Sequence, residues 1–173
     1  MRKTKKITVC AVLSAMGVAI LYLGSFMDVF DLSVSCVASL IVLFCAEEFG
    51  TKYTLAVYAV ISTLSFILIP QKWIAVYFIF FFGTMPITKR VYEKTGKIFS
   101  WLLKIITFNA EAAGFYFVAE KLGFFAENET ALPYLITLLV LANAVFILAD
   151  MLYGKVTWMY RAKYQQRIKK FLK

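Results

Sequence analysis

Histidine is absent from the sequence. That removes Ser-His intramembrane proteolysis, His-nucleophile phosphatases, zinc proteases built on an H-E-x-x-H helix, and His-ligated haem. Cysteine is scarce. Cys10, Cys36 and Cys45 all fall inside apolar runs, form no C-x-x-C pair, and read as small core residues. No G-x-x-x-x-G-K-[ST] run is present, so the chain has no phosphate-binding loop of that kind. Charge is thin as well. Asp, Glu, Lys and Arg make up 17% of the 173 residues, against roughly 25% in soluble domains.

Hydrocarbon takes the place of charge. Hydrophobic residues reach 62% and the mean hydropathy is +0.78. A soluble domain of this length cannot bury so much apolar surface in one core. The composition therefore predicts an integral membrane protein and excludes a soluble enzyme, a nucleic-acid-binding domain and a disulfide-stapled secreted module. The net charge of +9 is first a statement about topology.

Six apolar runs cover residues 7–27, 32–49, 53–70, 73–87, 99–119 and 132–153. Spanning the hydrocarbon takes about 20 residues. The fourth run is short and is expected to continue to residue 92 as an amphipathic turn or two, taking Lys89, Arg90 and Lys94 toward the headgroups. The breaks between runs are polar: Asp28 and Asp31, then Glu47-Glu48-Phe49-Gly50-Thr51-Lys52 with Gly50 as a helix C-cap, then Pro70-Gln71-Lys72. Thr130 is a candidate cap for the last helix, with Pro133 in its first turn. The expected fold is all-α, a single antiparallel bundle of six transmembrane helices.

Basic residues set the orientation. With six spans, seventeen of the nineteen Lys and Arg fall on the side of the two termini and only Lys72 and Lys121 on the other. The positive-inside rule then places both termini in the cytoplasm of a plasma membrane. Trp73 falls at an outer edge and Trp101 and Trp158 at inner edges, as interfacial anchors do. The first run is too long for the apolar region of a cleaved signal and is read as a retained helix. Asn128-Glu129-Thr130 is a weak match to a glycosylation acceptor on the outer side.

The first run carries Ala11, Ala15 and Ala19 at i, i+4 and i+8, with Ser14 beside them. Small residues at this spacing let a second helix approach closely, either within this protein or from a partner. A short chain with six spans, basic cytoplasmic termini, a Lys-Lys lead-in and an A-x-x-x-A first helix resembles the S component of an energy-coupling factor transporter. In that family the first-helix alanines contact the transmembrane coupling subunit, and the matching positions here are Ala11 and Ala15, with Ala19 extending the row. The resemblance implies a small-molecule substrate, a coupling subunit and two ATPases as partners, no cofactor and no enzymatic activity. No riboflavin-, thiamine- or biotin-type signature is evident. The same fold is shared by non-transport relatives such as the rod-shape protein MreD.

Polar residues within the runs are the candidate binding groups. Glu111 and Asn109 lie in the fifth run and Asn143 in the sixth. At 1.5 Å per residue, Glu111 is about 13–14 Å from the inner end of its run and Asn143 about 16–17 Å from the outer end of its own, so the two nearly coincide in depth. Asn143 is expected to donate to Glu111, either as an interhelical bond worth about 0.6 kcal/mol or as the floor of a ligand cavity or a protonatable switch. Asp150, near the inner end, is expected to pair with Lys155 or another base of the tail. Tyr77 and Tyr116 bring hydroxyls into outward apolar segments, and with Trp73 they are candidates to stack on a flat ligand. The outer connections hold five acids against two bases, a balance that favours a cationic or zwitterionic solute over a phosphate or carboxylate and that the positive-inside rule also explains.

Glu47, Glu48 and Glu93 at the inner face lack a D-D-x-x-D-type cluster and read as a solvated rim, with no metal site. Residues 155–173 place Val156, Tyr160, Tyr164, Ile168 and Leu172 at intervals of four among bases. This predicts a basic amphipathic helix on the anionic lipids of the inner leaflet; nucleic acid is not an expected partner.

Overall fold

A computed structural model describes residues 3–27, 30–92, 96–121 and 132–165. Asp28, Glu93, Lys94, the Thr130 cap, the acceptor sequence 128–130 and the last eight residues of the tail lie outside the described residues. Among the described residues the chain is all-helical, without strands. The helices are α1 (Lys3–Gly24), α2 (Asp31–Glu48), α3 (Thr51–Leu68), α4 (Lys72–Tyr77), α5 (Met85–Tyr92), α6 (Lys97–Lys121) and α7 (Leu132–Met159). A π-helical segment, Phe78–Phe82, joins α4 toward α5, so α4 to α5 is one broken rod and the rods number six. A second π segment, Tyr160–Tyr164, prolongs α7.

Five of these rods are long and apolar enough to cross a membrane: α1, α3, the α4–α5 rod, α6 and α7. That is the make-up of a membrane protein. The exception, α2, holds Asp31, Glu47 and Glu48 within 18 residues. Its middle is as apolar as those of the other rods, and the three acids at its two ends set it apart. It packs against α1, α3, α4, the π segment and α5, and it buries Ser35, Ser39 and Cys45 against protein. A helix surrounded by helices has no need of a lipid-compatible surface all round.

α1, α2 and α3 form the central layer, with Leu21, Val42, Val57, Ile61, Ile74 and Phe78 buried at its core. Close approach of α1 rests on glycine. A Cβ on Gly17 would lie 2.6 Å from the Ile61 side chain, and one on Gly24 would overlap the side chain of Val34. Gly50 has φ +87°, a left-handed conformation that lets the chain turn from α2 directly into α3.

The break in the α4–α5 rod is chemically complete. The Gly83 N–H donates to Phe78 O at 2.7 Å, five residues back, which displaces the next carbonyls from their usual partners. The Tyr58 hydroxyl donates to Ile79 O at 2.8 Å. The Thr84 hydroxyl lies 3.0 Å from Phe80 O and 3.2 Å from Phe81 O. Where water is scarce, such substitutions are what permit irregular backbone. A side chain at Gly83 would collide with the Tyr58 ring, so glycine is needed for that hydroxyl to reach its carbonyl.

Candidate functional site

A cleft of about 760 Å3 opens between the α4–α5 rod, α6 and α7, within the range of about 300–1,000 Å3 typical of small-molecule sites. One wall is aromatic. Trp73 and Tyr77 stack at 5.8 Å and 24°, and Tyr77 and Phe115 at 5.6 Å and 15°. Phe81 lies tilted against Phe115 at 5.2 Å and against Phe108 at 5.4 Å. Phe108 and Phe146 stack at 4.4 Å across α6 and α7. The π segment takes part in this wall: the break in the rod turns Phe81 and Phe82 toward the cleft, with Met85 just beyond.

Trp73, Tyr77 and Tyr116, three of the residues expected to bind a ligand, line this cleft. Asn109, Glu111 and Asn143 are not among its lining residues. The expected bond from Asn143 to Glu111 is replaced by a reciprocal amide pair. Asn143 Nδ2 donates to Asn109 Oδ1 at 3.2 Å and Asn109 Nδ2 to Asn143 Oδ1 at 3.3 Å. Each amide also donates to its own helix, to Leu139 O and Ile105 O, both at 2.8 Å. Residues 109 and 111 stand about 200° apart around a helix of 3.6 residues per turn, so only one of them can face α7. The residue of α6 that meets Asn143 is Asn109. Glu111 turns the other way, half-buried and toward Thr84 at the break in the α4–α5 rod.

The inner end of the cleft rests on a buried charge cluster. Asp150 accepts from Lys104 Nζ at 3.0 Å and 3.1 Å through its two carboxylate oxygens. Lys89 Nζ lies 3.6 Å from the same carboxylate and donates to the Asp150 backbone carbonyl at 3.0 Å. Lys89, Lys104 and Asp150 are only 6%, 7% and 9% exposed. The expected partner in the tail is thus replaced by bases of α5 and α6. Lys155 is five residues on and faces away from the Asp150 side of the helix, whereas Gly154 leaves room for the Lys89 ammonium, 3.4 Å from where a Cβ would stand. The cluster ties three rods at one level, directly beyond Met85, Phe108 and Ala149 of the cleft.

The beginning of the tail is also tied down. The Arg161 guanidinium makes a two-pronged bond to Glu47, both contacts at 2.8 Å. The Tyr160 hydroxyl donates to Glu48 Oε1 at 2.9 Å. The two acids expected as a solvated rim are therefore the anchor of the α7 extension. Higher up, the buried Tyr153 hydroxyl hydrogen-bonds the Ser39 hydroxyl and lies 3.8 Å from Cys36 Sγ, which fixes α7 to α2. Among the described residues, no three Cys, Asp or Glu side chains converge in a metal-binding arrangement.

Ala11, Ala15 and Ala19 are all exposed. The face of α1 that enters the core is Cys10, Ser14, Gly17, Val18, Leu21 and Gly24. The alanine row therefore lies off the buried face of α1, and the small residues at its close contacts are Gly17 and Gly24. No family model, curated protein or solved structure matches the chain.

Proposed function

We propose that this protein is the substrate-capture subunit of an importer of the energy-coupling factor type. It spans a plasma membrane six times with both termini in the cytoplasm, with α2 as the second span. It holds a small molecule in the cleft bounded by Trp73, Tyr77 and Tyr116, toward the outer face. It docks on a membrane coupling subunit, served by two ATPases, through Ala11, Ala15 and Ala19. The observation that carries this reading is the outward-facing alanine row: a stripe suited to close helix contact lies outside the protein's own core. Its support is joined by the cleft, which has the size and aromatic wall of a ligand site.

Purification of the tagged protein from its native membrane tests the proposal. A coupling subunit and two ATPases should come with it, and native mass spectrometry should find a small molecule bound. Recovery with envelope-building proteins and a lipid-filled cleft would instead make it a scaffold of the MreD kind.

The orientation follows from seventeen bases on one side against two on the other. Reporter fusions after Lys173 and within residues 90–96 should report cytoplasm, and a fusion within residues 127–130 should report the exterior. A carboxyl-terminal reporter found outside would overturn the six-span topology.

A further inference from the structure

The cleft's chemistry narrows what it holds. Among the described residues, none of its eighteen lining side chains is charged. Asp31 heads α2 immediately before the lining residue Leu32 but does not itself line the cleft. The Lys89–Asp150–Lys104 cluster lies behind the floor, with its ammonium groups already engaged by Asp150. A charged ligand here would give up water for hydrocarbon, and such transfer is strongly unfavourable without a partner. The polar atoms of the lining are few and sit at one end: the Tyr77 and Tyr116 hydroxyls and the Trp73 indole N–H. Below them, Phe81, Met85, Ala142, Phe146 and Ala149 present only carbon and sulfur.

The opening is lateral. Leu139, Leu141 and Val145 line the cleft and are exposed, Leu141 by 62%, so the cleft stands open along α7. They lie in the middle of α7, at the depth of acyl chains in the six-span arrangement. A ligand entering there comes from the bilayer and not from water. The aromatic wall is itself a stack, with Trp73 on Tyr77 and Tyr77 on Phe115.

From these features, and resting on the capture reading above, we infer that the substrate is an uncharged lipophile that reaches the cleft sideways from the membrane, between α6 and α7. Its apolar body lies among Phe81, Met85 and Phe146, and any polar end points toward Trp73 and Tyr116.

Trp73 supplies the readout. Trp101 and Trp158 do not line the cleft and are exposed, so Trp101→Phe with Trp158→Phe leaves Trp73 as the sole indole. This variant in liposomes is titrated with pyrene, and separately with 1-pyrenemethylammonium, while energy transfer from Trp73 is recorded. Pyrene should give saturable transfer above the linear background of bilayer partitioning. Ala112→Phe and Ala142→Phe, which fill the cleft from α6 and from α7, should each remove the saturable part. The cationic probe should bind at least about tenfold more weakly. Saturable binding of the cation at equal strength would overturn the uncharged class and leave the capture reading standing. Absence of saturation with both probes, together with quenching of Trp73 by brominated acyl chains, would overturn both, because the cleft would then be a seat for bulk lipid.

Discussion

Asp150→Asn should destabilise the folded protein by about 3–5 kcal/mol, the cost of leaving buried charge without its counter-ion. Lys104 holds both oxygens of this carboxylate, and Lys89 approaches it from a second rod. With the charge removed, two ammonium groups remain in a space that is almost closed to solvent. A neutral replacement of the whole cluster behaves differently. Asp150→Leu combined with Lys89→Met and Lys104→Met should recover most of the lost stability, because hydrophobic groups of similar volume replace buried ion pairs at little cost. Unfolding curves in mild detergent compare the single and triple variants. Wild-type stability of Asp150→Asn would mean that the lysines reach water in the folded state.

The second large effect concerns assembly. Ala15→Trp should reduce recovery of a coupling subunit by at least about tenfold, since a bulky ring in a small-residue row holds two helices apart. The isolated variant should melt within about 0.5 kcal/mol of the parent, as exposed substitutions do, because Ala15 is exposed and lies off the buried face of α1. Gly17→Leu is the converse control. Its side chain would enter the space of Ile61, so it should destabilise the protein with no partner present. A pull-down beside a melting curve for each variant separates docking from internal packing. Normal assembly of Ala15→Trp would remove the alanine row from the proposed interface.

The contrast between Ala15 and Gly17 shows what the sequence made legible. Helix positions followed from the apolar runs, and most observed ends lie within a few residues of the expected ones; α1 begins earlier, at Lys3, and α7 runs on to Met159. The role of a small residue depends on which face of the helix meets a neighbour. α1 has almost no hydrophobic asymmetry to reveal that face, because lipid and core are both apolar. The same ambiguity hid the Asn109–Asn143 pair. Depth can be counted from a run's ends, but rotation about the axis cannot, and Glu111 and Asn109 differ only in rotation. The aromatic cluster was half visible: Trp73, Tyr77 and Tyr116 stood out by their polar atoms, whereas Phe115 and Phe81 were two among 17 phenylalanines. Gly83 gave a signal that was not used. A glycine followed by a threonine after five residues of Phe and Ile is where a helix can break and have its carbonyls served by a hydroxyl.

The central position of α2 has a consequence for how the chain is made. On the six-span reading, α1 leaves the ribosome first and is by itself a good solute for lipid. α2 differs in carrying acids at both ends and serines along its buried side. Ser35 and Ser39 each bond first within α2, to Asp31 O and Cys36 O, and each gains a second partner from later in the chain, Ile74 O for Ser35 and the Tyr153 hydroxyl for Ser39. The hydrogen bonding of the second helix is thus completed by the last one to be synthesised.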